Sequence, residues 1–164
     1  MSFIENEEKL RRSYKPDKIE ILFVGEAIPD DNTFFYAANS PLYKYTREAF
    51  EEVFPGTEFT LEVFKEKGCY LFDLAGPVGN MTYKGRITTI AEGIPVLAKL
   101  ITDEKPKYII STKSANISAI VIANEHAGDL IPDKNIFDLP APIFGSHHFY
   151  KAKLVKTLKH IYNL

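Results

Sequence analysis

The chain of 164 residues carries 20 Lys+Arg against 22 Asp+Glu, a formal charge of −2, and 45% of it is hydrophobic. This is the balance of one globular domain with a sizeable core, and it excludes a disordered, fibrous or membrane-embedded protein, since no apolar run approaches the roughly 18 residues of a membrane helix. Cys69 is the single cysteine, which rules out an intrachain disulfide, a four-cysteine zinc site and an all-cysteine iron–sulfur cluster on this chain. Residues 1–8 lack the basic flank and apolar stretch of a signal peptide, so a cytoplasmic or nuclear address is expected.

Residues 1–17 read as an N-terminal lead to a single domain spanning 1–164. The run Ile19–Val24, stopped by Gly25, predicts a strand buried on both faces. Ser40-Pro41 supplies an N-cap and a first-turn proline, and Leu42, Thr46, Ala49, Phe50 and Val53 continue at helical spacing. A short helix from about Thr60 is closed by Gly68, before a second strand over Cys69–Leu74. Ile90, Ile94, Leu97, Ala98 and Ile101 mark a further helix, Lys107–Ser111 a third strand, and Ile117, Ile120 and Val121 another helix. A fourth strand is predicted over Asn135–Leu139, and Tyr150, Leu154, Leu158 and Ile161 give the apolar face of a closing helix.

Buried strands alternating with helices predict an α/β fold, a three-layer α/β/α sandwich around a four-stranded parallel sheet. Ligands of such sheets sit beyond the carboxyl ends of the strands. The loop after the first strand carries three carboxylates, Glu26, Asp30 and Asp31, beside the aromatics Phe34-Phe35-Tyr36. It holds neither a P-loop nor a dinucleotide glycine fingerprint. Such a loop suits an aromatic ligand stacked on a ring with a water or cation held by a carboxylate; the alternative is a solvated acidic turn over aromatics tucked against the sheet. Asp73, at the end of the second strand, either reads a ligand or caps a loop amide. If ionised it only accepts hydrogen bonds, and a raised pKa would restore a donor. The turn Thr112–Asn116 offers amides to a phosphate or is ordinary capping. His126, His147, His148 and His160 show no metal-ligand spacing, so no metal and no cofactor is expected, with a magnesium site at Asp30 and Asp31 the one exception left open. The last 18 residues hold Lys151, Lys153, Lys156 and Lys159 and no acid, which describes either a nucleic-acid face or any amphipathic surface helix.

Gly25-Glu26-Ala27, then a proline and aromatics, then Asn39-Ser40-Pro41-Leu42-Tyr43, resembles the first motif of the uracil-DNA glycosylase superfamily, closest to its mismatch-specific branch. The segment Leu139 to Phe149, with Phe144-Gly145 and His148-Phe149, is similar to that superfamily's second motif and its sequel. The resemblance covers about Ile19 to Leu158 and implies a flipped base stacked on Phe35 or Tyr36 and read at Asp73, where the family has Asn. It also implies departures: the water-holding position is Ala27, and the histidine that steadies the departing base is replaced by Leu139.

The expected pocket is therefore built from Glu26, Asp30, Asp31 and His148 for catalysis, and from Phe35, Tyr36, Asn39, Asp73 and Asn80 for the base. Ser114, Ser146, His147, Lys153 and Lys156 are expected to meet phosphate or DNA. At most one of His147 and His148 faces the pocket, because neighbours on a helix point about 100° apart. The expected function is hydrolysis of the N-glycosidic bond of an altered base in DNA, weak or altered on uracil. The alternative is a non-catalytic module that binds a nucleobase or nucleic acid on the same fold. No membrane and no iron–sulfur partner is expected.

Overall fold

The structure, a computed structural model, describes residues 3–27, 32–75, 83–143 and 145–164, with side chains from Glu5 in the first helix and from Thr89 in the long fourth one. Four strands, β1 (Ile21–Ala27), β2 (Cys69–Ala75), β3 (Tyr108–Ser111) and β4 (Ile136–Asp138), form one all-parallel sheet in the order β2-β1-β3-β4. Among the described residues six α-helices accompany them: α1 (Phe3–Ser13), α2 (Pro41–Val53), α3 (Leu61–Glu66), α4 (Tyr83–Glu104), α5 (Ile117–His126) and α6 (His147–Tyr162). α2 packs on α6, and α4 packs on α5 and on β2. Because β1 is central, the chain moves outward to β2 and then crosses back to β3. Right-handed crossovers therefore place α2 and α4 on opposite faces of the sheet. The fold is the three-layer α/β/α sandwich expected from the strand and helix pattern.

The buried strands account for the centre of the core. Ile21, Leu22, Phe23 and Val24 are all within 1% of complete burial, which explains why β1 reads as an unbroken apolar run. Ser40 caps α2 by accepting from the Tyr43 amide, and Thr60 caps α3 by accepting from that of Val63. Gly68 ends the α3 segment at φ +71°, where a side chain would be strained. On α4, a methyl group added at Gly93 would lie 1.8 Å from the Leu74 carbonyl oxygen, so the helix rests directly on the main chain of β2. A hydrogen bond of 2.8 Å between the buried hydroxyls of Thr46 and Tyr150 joins α2 to α6.

The first 17 residues depart from the sequence reading. They are not a plain lead, because residues 3–13 form α1, which lies beside β2 with Tyr14 stacked on Tyr36. Tyr36, in a short 3-10 turn at Phe35–Ala37, closes the outer edge of β2. Its hydroxyl donates to the Leu71 carbonyl at 3.1 Å and accepts from the Leu71 amide at 2.7 Å. An edge strand otherwise presents unpaired main-chain groups, and this side chain satisfies two of them. Tyr36→Phe is expected to leave both Leu71 groups unpaired in the core and to lower the unfolding free energy by about 1–3 kcal/mol, seen as a lower midpoint in urea. An unchanged midpoint would show that the edge is held by other interactions.

Candidate functional site

All four strands end at one cavity of about 520 Å³, within the range of small-molecule sites. Its walls come from Gly25, Glu26 and Ala27 of β1, Leu71 and Asp73 of β2, Thr112 and Lys113 after β3, and residues 141–143 after β4. The remaining walls are Phe34 and Phe35, the start of α2 out to Tyr45, and His147 at the start of α6. Among the described lining residues, the Asp73 carboxyl, the Glu26–Lys113 pair and the His147 ring bring charge or an imidazole to walls that are otherwise largely aromatic and aliphatic.

Asp73 sits opposite Gly25 in the β1–β2 register, and a methyl group at Gly25 would lie 2.3 Å from its Oδ1. The carboxyl therefore lies against the bare main chain of β1, a position open only because residue 25 is glycine. Although Asp73 keeps some surface toward the cavity, the protein around it displaces enough water to push its pKa up to about 7. The Arg11 guanidinium opposes this shift and the Glu7 charge adds to it, both from α1.

Across the cavity Glu26 is ion-paired with Lys113. The turn that carries Lys113 is fixed at both sides: Ser111 Oγ donates to the Lys113 carbonyl at 2.7 Å, and Thr112 Oγ1 donates to the Val24 carbonyl at 3.2 Å. Lys113 thus reaches Glu26 from a braced main chain. His147 lies flat on Tyr45, ring centres 4.9 Å apart and planes 22° from parallel, which fixes the imidazole on the cavity wall.

Of the residues singled out in the sequence, the fold brings Glu26, Phe35, Asp73 and His147 to the cavity. Others lie away from it, and of these Tyr36, Asn39, His148 and Ser146 are corrected. Tyr36 cannot be a stacking platform, because it is 1% exposed and its hydroxyl is consumed by Leu71. Asn39 organises its own loop: its Oδ1 accepts from the Phe34 amide at 2.7 Å and its Nδ2 donates to the Asn32 carbonyl at 3.2 Å. His148 is exposed and lies off the cavity wall, so of the adjacent histidines it is His147 that faces the site. Ser146 neither caps α6 nor lines the cavity, since its hydroxyl donates to the Ala141 carbonyl at 2.7 Å. Ser114 is exposed, with its hydroxyl toward the Leu139 carbonyl. Lys153 and Lys156 are exposed on α6. Asp30, Asp31 and Asn80 lie outside the described residues.

No family model matches the chain, and no curated protein matches it.

The site therefore rests on its own geometry. Leu139, where the resemblance looks for a histidine, is fully buried beneath the sheet end, and its amide donates to the Ser111 carbonyl. It is a core residue and presents nothing to a ligand. Tyr45 carries no site signal in the sequence, and Lys113 is marked there only as part of the Thr112–Asn116 turn; in the fold they hold His147 and Glu26. Among the described residues no group of three or more His, Cys, Asp or Glu side chains is placed to hold a metal ion. Among them, too, no helix is long and apolar enough to cross a membrane.

Proposed function

We propose that the cavity binds a nucleobase turned out of a nucleic acid strand, and that the chain hydrolyses the N-glycosidic bond of an altered base in DNA. The observation that carries this reading is the Asp73 carboxyl against Gly25, inside a cavity walled by Phe34, Phe35 and Leu71. A planar heterocycle needs an apolar slot for its faces and a fixed polar group at its edge, and this arrangement supplies both. The resemblance of the Gly25–Tyr43 and Leu139–Phe149 segments to uracil-DNA glycosylases agrees with it.

In this reading Glu26 orients the attacking water. Its pairing with Lys113 keeps a positive charge beside the carboxylate, and Lys113 and His147 face the negative charge that develops on the departing base. Ala27 provides no side chain to hold water, and Leu139 none to steady the leaving group. Removing one such hydrogen bond typically costs about 2.7–4 kcal/mol, so uracil release is expected to be slow even where uracil binds. A second reading, a binding module without chemistry, is favoured by one observation: Glu26 is already engaged by Lys113.

Single-turnover excision from DNA holding a panel of single lesions and mismatches, beside binding to abasic DNA, separates the two. Base release abolished in Glu26→Gln supports the enzyme, tight binding without release supports the module, and neither activity overturns the proposal. DNA is expected to lie along the exposed lysines of α6, where Lys153→Glu with Lys156→Glu should weaken binding and reduce the slope of log affinity against log salt by about 0.7–0.9 for each phosphate that is no longer neutralised. Unchanged affinity and slope would remove this surface.

A further inference from the structure

The Glu26–Lys113 pair holds chemistry that the positioning of a water does not use. Among the described lining residues Lys113 carries the one primary amine. Its side chain keeps 38% of its surface exposed while that of Glu26 keeps 12%, so the carboxylate is sunk in the wall and the amine is the accessible partner. The turn that carries the amine is tied to β1, because Thr112 Oγ1 and Asn116 Nδ2 both donate to the Val24 carbonyl. A lysine on an open surface is hydrated and protonated, with no acceptor for its proton but water. Lys113 instead has a carboxylate in direct contact, in a cavity walled by Phe34, Phe35 and Leu42. A ligand that displaces water from such a place strips the ion pair of its hydration, and a neutral amine beside a neutral acid then competes with the charged pair.

We propose that Lys113 is a Schiff-base amine, so that the cavity takes an aldehyde and holds it covalently at Nζ. Glu26 removes one proton from the ammonium, and the freed lone pair adds to the aldehyde carbon. The carbonyl π electrons pass to oxygen, which takes a second proton from the nitrogen and becomes a hydroxyl. Glu26 returns its proton to that hydroxyl, the C–O bond breaks, water leaves, and the nitrogen lone pair closes the C=N bond. Ammonium and aldehyde thus become a protonated imine and water, nothing is oxidised or reduced, and Glu26 is again a carboxylate. One aldehyde chemistry has two sources here. A free sugar supplies it in its open-chain form, and a sugar in DNA supplies it at C1′ once its base has been removed. The second source rests on the base-release reading above: Lys113 faces the departing base as an ammonium and the exposed C1′ as an amine, so one side chain serves the two steps in turn.

The test mixes the full chain with DNA holding one preformed abasic site, or with free 2-deoxyribose, in the presence of cyanoborohydride, which reduces an imine to a stable secondary amine. Peptide mass mapping then locates the adduct. It is expected on Lys113, formed about a hundredfold faster than on the exposed Lys153 and Lys156 of α6, because a positioned acid–base group assists only the former. Glu26→Gln should remove that advantage, and Lys113→Arg, which keeps the ion pair, should remove the adduct. A Lys113 adduct with abasic DNA alone assigns the DNA source and one with the free sugar the small-molecule source, and either upholds the proposal. Adducts formed at equal rates on Lys113 and the surface lysines, or a Lys113 adduct undiminished in Glu26→Gln, overturn it. Abasic DNA that binds with no Lys113 adduct, with none from the sugar either, overturns this inference and leaves the base-binding reading standing. A Lys113 adduct from the free sugar on a chain that neither binds DNA nor releases a base upholds the inference and overturns that reading. Should Glu26→Gln not fold, the site of labelling in the parent decides the matter.

Discussion

Gly93→Ala is expected to destabilise the protein by about 3 kcal/mol, lowering Tm by about 6–12 °C for a chain of this size. Glycine inside a helix ordinarily costs about 0.5–1 kcal/mol relative to alanine, so propensity alone predicts the opposite sign. Geometry decides against propensity, because the added methyl would stand 1.8 Å from the Leu74 carbonyl oxygen. That oxygen belongs to the main chain of β2 and cannot rotate away, so α4 must lift from the sheet and open a gap along the interface. A thermal melt checks this, and a variant as stable as the parent would mean that the helix and sheet adjust at almost no cost.

Gly25→Ala should act in the opposite manner, sparing stability and removing ligand recognition. The new methyl would meet Asp73 Oδ1 at 2.3 Å, and a carboxyl at the end of a side chain can swing aside where a main chain cannot. Gly25 lies in a strand with ordinary extended backbone, so alanine brings no conformational strain. On the proposed base-binding reading the displaced carboxyl no longer lies at the base edge, and the expected loss is about 1–3 kcal/mol, roughly ten- to hundredfold in affinity. Binding to abasic DNA, which has no base to read, should change much less. Equal losses on base-containing and abasic DNA would show that Gly25 matters for something other than Asp73.

The strands and most helices were legible in the amino-acid sequence because their signals are local: unbroken apolar runs for β1 and β2, Ser40-Pro41 and Thr60 as helix starts, Gly68 as a stop. The neighbouring positions of Gly25 and Asp73 at one end of the sheet followed from the same reading, and the register places them side by side. α1 was not legible, since Glu7 is buried on it and Arg11 lies over the Phe72 ring, and hydrophobic periodicity registers no buried charge. Nor was the orientation of Tyr36, which depends on a main-chain edge 35 residues away. His147 was within reach. Counting back from Tyr150, Leu154 and Leu158 at helical spacing puts residue 147 on the inward face of α6 and residue 148 about 100° off it.

The hydroxyl pair of Thr46 and Tyr150 spans 104 residues of chain. It docks the same helix that brings His147 to the cavity, so the wall is complete only when α6 is in place. In a refolding chain the sheet end, with Asp73 over Gly25, needs only β1 and β2, whereas a complete wall waits for pairings of the longest sequence separation in the fold. On the proposed reading, a refolding chain is expected to regain ligand binding only as α6 arrives, which refolding followed by ligand binding would report.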